Sequence, residues 1–119
     1  MVLSFKILIF ISAFSFSISS NIFKNVKVLD IESRSEMKKY MKSISKDLGV
    51  KCSYCHDMDD KSIDTPEKEI TREMIKLTKY LNSLLNDQLA DSSSIKTFIS
   101  CWTCHYGNLS PANKRPEDH

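Results

Sequence analysis

The feature that most limits what this chain can become is a pentapeptide pattern that occurs twice, Cys52-Ser53-Tyr54-Cys55-His56 and Cys101-Trp102-Thr103-Cys104-His105. The two copies take all four cysteines and two of the three histidines in 119 residues. Cysteines at i and i+3 on one helical turn point the same way, so their thiols can add across the two vinyl groups on one edge of a haem. The following residue swings its imidazole under the iron, where a neutral ring nitrogen is a good axial donor in either oxidation state. The pattern predicts two covalent haem c groups attached through Cys52, Cys55, Cys101 and Cys104, with His56 and His105 as iron ligands. A tetrahedral zinc site could use the four thiolates, but it leaves both histidines unexplained and lacks the glycines usual in zinc knuckles. Disulfides or thioredoxin-like dithiols would want alternating strands and helices, which the sequence does not offer.

Residues 1–20 read as a secretory signal: a positive Lys6, an apolar and hydroxyl run from Ile7 to Ile18, then small residues with a cleavage site at Ser17-Ile18-Ser19. The run is shorter than the roughly 20 residues that cross a bilayer core, so cleavage is expected over anchoring. Either outcome places the protein outside the cytosol, in the periplasm or otherwise exported, and membrane-anchored if the signal stays. The net charge of +2 drops to +1 once Lys6 leaves. That balance gives nucleic-acid binding no support. Haem propionates would bring the holoprotein to neutral or mildly acidic, so docking to redox partner proteins depends on local patches.

Residues 21–32 form a leader of mixed apolar and basic residues, expected either to pack across the domain or to stay loose. A helix follows, opened by a Ser33/Glu36 capping box, with Met37, Tyr40, Met41, Ile44 and Leu48 on one face and Gly49 as its left-handed stop. The first haem motif comes directly after. Beyond the polar stretch 57–64, Thr65-Pro66-Glu67 supplies an N-cap, a first-turn proline and an early carboxylate. This predicts a second helix over 66–86 with Ile70, Met74, Leu77, Leu81 and Leu84 on its apolar face and Glu69, Glu73, Lys76 and Lys79 toward water. A break at 91–94 leads to the second motif, and Gly107, Pro111 and Pro116 mark an irregular tail. The order helix, motif, helix, motif is a two-unit repeat.

A haem held by histidine has a sixth position to fill. Met41 and Met74 lie on the apolar faces of the two helices and are candidate donors, with an ordinary core role as the competing reading for each. Met37, on the same face as Met41, and Met58 are the alternatives. His119, the spare histidine, ends a polar tail and is expected to be solvated.

The stretch Met41…Leu48-Gly49-Val50-Lys51-Cys52-Ser53-Tyr54-Cys55-His56, followed by Thr71-Arg72-Glu73-Met74-Ile75 and Asn82, and closing on Cys101-Trp102-Thr103-Cys104-His105-Tyr106-Gly107, resembles the family of the photosynthetic reaction-centre cytochrome c subunit. The likeness covers nearly the whole mature domain. In that family each haem unit is a helix with an axial methionine, a turn, and a helix with the haem motif. The resemblance implies Met41 as sixth ligand of the first haem and Met74 as that of the second. The photosynthetic subunit carries four haems, whereas this chain has one two-haem unit, so docking to a photosystem is not carried over. Tyr106 stands where the family often has arginine and Trp102 where it often has tyrosine. The chain looks like one of the small stand-alone cytochromes of the wider family.

The sequence thus predicts an all-α dihaem c-type cytochrome: signal 1–20, leader 21–32, haem domain 33–107 and tail 108–119. Its expected work is electron transfer with redox partner proteins or a membrane-associated electron-transfer complex. Oligomeric state is not specified. The rivals are a small dihaem peroxidase or reductase, which needs an open iron, and a polymerising haem wire joined through leader or tail.

Overall fold

The computed structural model describes residues 22–89 and 97–112; the expected signal, the break at 91–94 and the end of the tail with Pro116 and His119 lie outside them. The described residues form four helices and no strand: α1 (Arg34–Leu48), α2 (Cys52–Cys55), α3 (Pro66–Leu89) and α4 (Cys101–His105). The all-α expectation holds, and each haem motif is itself one helical turn.

α1 begins where the sequence indicates. The Ser33 hydroxyl accepts from the Glu36 backbone N–H at 3.5 Å, which is the arm of the expected capping box that forms. Gly49 ends the helix at φ +65°, and the N–H groups of Gly49 and Val50 return to the carbonyls of Lys46 and Ser45 at 3.3 and 3.0 Å. α3 starts on Thr65, whose hydroxyl accepts from the Lys68 N–H at 3.2 Å, and runs three residues past the expected end at 86, to Leu89.

The two units interlock. α1 packs on α4 as well as on α2, and α2 packs on α3. Among the described residues only two apolar side chains are buried, Ile44 on α1 and Ile75 on α3. The expected apolar face of α3 is largely open at its protein surface: Ile70, Met74, Leu77 and Leu84 are exposed, while Lys68, Arg72 and Ile75 are buried. Lys68, Arg72 and Lys79 follow one another at helical spacing on the opposite side of α3, and the leader lies along that side. Arg72 donates to the Asn25 carbonyl at 3.3 Å, and Asn25 donates to the Ser62 carbonyl at 2.7 Å and to Asp64 at 2.6 Å. Lys27 pairs with Asp64 at 3.0 Å and Lys79 with Asp30 at 2.8 Å. Of the two states expected for the leader, packing across the domain is the one adopted by its described part.

Candidate functional site

The chain enters and leaves each haem motif under restraint. Before the first, the Ser45 hydroxyl donates to the Val50 carbonyl, tying the motif's approach to the last turns of α1. After it, the Thr65 hydroxyl donates to the Cys55 carbonyl at 2.8 Å, so the residue that caps α3 also fixes the end of α2. Before the second motif, Asn82 on α3 makes a two-way amide bond with Ile99, donating to its carbonyl at 2.7 Å and accepting from its N–H at 2.8 Å. The Thr103 hydroxyl accepts from the Ser100 N–H at 3.0 Å and closes the first turn of α4.

Behind the second motif, Tyr106 and Gly107 take left-handed backbone angles, φ +49° and +79°. This reversal brings the Gly107 N–H to the Asp47 carbonyl at 2.9 Å and its own carbonyl against Gly49. A Cβ on Gly49 would sit 2.1 Å from the Gly107 oxygen, so the close approach and the positive φ both require glycine there. The end of α1 is therefore common ground: the first motif leaves from it and the second is docked on it. The Trp102 and Tyr106 rings meet at 5.8 Å between centroids with their planes tilted by 60°, and the Trp102 ring lies against Gly107.

Each motif histidine has one ring nitrogen engaged by a backbone carbonyl: His56 Nδ1 with Lys61 O at 3.4 Å, and His105 Nδ1 with Asn108 O at 2.9 Å. A carbonyl can only accept, so Nδ1 carries the proton and Nε2 carries the lone pair that a metal would use. Burial, followed by the nearby cations Lys68, Lys61 and Arg72, pushes the His56 imidazolium below its ordinary range, which keeps the ring neutral and able to coordinate. The thiols of Cys55 and Cys101 are pushed up, mainly by burial.

A cavity of about 340 Å³ runs between α1, α3 and α4, and Cys55, Met74, Cys101, Cys104 and His105 all border it, along with the apolar Ile70, Leu77 and Leu81 of α3. The expected apolar face of α3 thus lines a pocket, except for Leu84. Cys52, His56 and Met41 do not border this cavity. Met41 and Met37 are half-buried on α1, and Met58 is exposed.

The donor chemistry fits haem attachment at each turn. All four cysteines are free thiols, and among the described residues no three His, Cys, Asp or Glu side chains converge where one metal ion could sit. Four thiolates gathered on a single zinc are thus not what the fold assembles. Two separate thiol pairs, each followed by an imidazole oriented by a backbone carbonyl, are what haem attachment requires.

Several supporting residues were not legible as such. The sequence gives Asn82 no role and Thr65 only that of a cap, and Lys68 and Arg72 bear charges that normally face water. The Arg72–Asp64 bond, 2.7 Å, could have been sought from the polar stretch before α3 and a basic residue two turns into it.

Comparison with known proteins gives a consistent result. The family profile described as photosynthetic reaction centre cytochrome C subunit matches residues 13–118. The chain is 30% identical over 95 residues to the photosynthetic reaction center cytochrome c subunit of Rubrivivax gelatinosus, covering 78% of this chain and 25% of that protein. It is 33% identical over 91 residues to cytochrome c-554 of Chloroflexus aurantiacus, covering 75% of this chain and 21% of the relative. The subunit from Thermochromatium tepidum is 31% identical over 96 residues, covering 78% and 22%. The chain spans about a quarter of the length of these curated relatives or slightly less.

Proposed function

The chain belongs to the photosynthetic reaction centre cytochrome c subunit family, and on that premise we propose that it is an electron-transfer protein carrying two covalently bound haem c groups. The observation that carries this reading is the pair of Cys-x-x-Cys-His turns in which each histidine donates Nδ1–H to a backbone carbonyl and keeps Nε2 for iron. The bound haem supplies reversible one-electron chemistry at iron. Cys52 and Cys55 would hold the first group and Cys101 and Cys104 the second, with His56 and His105 as donors to iron. Met41 and Met74 would complete the iron coordination, Met74 from the apolar wall of the cavity that His105 also borders. Thioether ligation favours the ferrous state and closes the iron to substrate, which suits a carrier and not an enzyme.

The protein works outside the cytoplasm, delivered by its N-terminal signal, and exchanges single electrons with redox partner proteins. Some relatives are named as reaction-centre subunits, so a membrane-associated electron-transfer complex is a fitting partner. Among the described residues no helix is long and apolar enough to cross a membrane.

The test is ligand access at iron. Carbon monoxide should bind the reduced wild type slowly or not at all, and Met41→Ala or Met74→Ala should each open one haem. The near-infrared thioether-to-ferric band should weaken in each variant and vanish in the double variant. A wild type that already holds a high-spin haem and turns over peroxide would replace the carrier with a small dihaem enzyme.

A further inference from the structure

We propose that Lys68 is a positioning residue that sets the two haems apart in potential: it shares with His56 the backbone carbonyl that orients that histidine, and so makes the haem held by His56 the higher-potential one. The inference rests on the two-haem reading above. Lys61 O receives two donors, His56 Nδ1 at 3.4 Å and Lys68 Nζ at 3.1 Å. The same ammonium donates to Ile63 O at 2.6 Å and lies 3.7 Å from Asp64, a carboxylate held more closely by Arg72 at 2.7 Å. Lys68 is only 9% exposed, so its charge is less screened than that of a surface lysine.

A carbonyl polarised by a cation has less electron density to offer a second donor, so the bond from His56 is weakened. His105 donates to Asn108 O at 2.9 Å, and among the described residues no cationic side chain is bonded to that carbonyl. Stronger Nδ1–H donation makes an imidazole more anionic and a better ligand to oxidised iron, which lowers the potential. Weaker donation at His56 and a fixed positive charge beside it act in the same direction, toward the reduced state. The asymmetry therefore follows from one buried side chain, and it gives the pair of haems an order.

The holoprotein and its Lys68→Gln and Lys68→Arg variants should be titrated by spectroelectrochemistry, with a pyridine haemochrome count on each. The expected result is two resolved midpoints in the wild type, a downward shift of the upper midpoint alone in Lys68→Gln, and its retention in Lys68→Arg, with the near-infrared band intact in all three. Unchanged midpoints in Lys68→Gln, or equal displacement of both, overturn the proposal while leaving the two-haem reading in place. Fewer than two haems in the wild type overturns that reading and the proposal with it. The wild type alone also decides, through histidine-labelled ¹⁵N spectra of the reduced protein. The His105 Nδ1 should be the more imidazolate-like, and equal or reversed signals refute the asymmetry.

Discussion

Asn82 bonds both backbone groups of Ile99, at 2.7 and 2.8 Å, two residues before Cys101. Ile99 is half-buried, so replacing the amide leaves a donor and an acceptor without their partner, at a cost of about 1–3 kcal/mol. Asn82→Ala should lower the melting temperature of the holoprotein and speed hydrogen exchange at the Ile99 amide, leaving the amides of α1 protected. Asp64 is a second test at this scale. Its bond to Arg72, then those to Lys27 and Asn25, hold its carboxyl well below the ordinary value of 3.8. A depressed folded-state value means that the unfolded chain binds the proton more readily. The stabilisation is therefore complete above pH 3.8 and is lost as pH falls toward the folded-state value. Asp64→Asn should lower stability most at neutral pH and least at the acid end, where the wild-type carboxyl is already protonated, and so flatten the acid limb of stability against pH, as read by acid titration of helical circular dichroism. The residues proposed to attach haem stand out in the sequence because that attachment is covalent chemistry at fixed spacing. Asn82, Lys68 and Asp64 do not, because their partners are backbone carbonyls and loop residues brought near only by the fold.

The end of α1 joins the two haem motifs. Gly49 has φ +65°, and a Cβ there would lie 2.1 Å from the Gly107 oxygen. Gly49→Ala should cost about 1–2 kcal/mol for the left-handed backbone alone, with the clash added to it. Both motifs meet at this point, so the spectra of both haems should become heterogeneous, where a local defect would touch only the first. Helix starts and stops were legible here since Ser33, Gly49, Thr65 and Pro66 act on their immediate neighbours. The pairing of α1 with α4 was not, because the Gly107-to-Asp47 bond joins positions far apart in sequence and no local pattern encodes it. α3 shows the same division. Its apolar period was correct, but the face it marks lines a cavity, and the side held by protein contacts is the polar one bearing Lys68 and Arg72.

At the scale of the whole molecule, two buried apolar side chains among the described residues are a small core for four packed helices. A domain of this size gains little margin from burial alone, and groups that bind only the folded chain add to its stability. Protein made without haem attachment should show reduced helicity and no cooperative melt, whereas the holoprotein should melt as a unit; circular dichroism on both forms compares them directly. The central claim is the cofactor count, and the most direct measurement is the intact mass of the protein matured beside a haem-attachment system, read with its pyridine haemochrome spectrum. The predicted result is a chain heavier than its processed sequence by two haems, with every cysteine in a thioether. A mature chain that carries zinc and no haem, or a single haem with two cysteines still free, would contradict it.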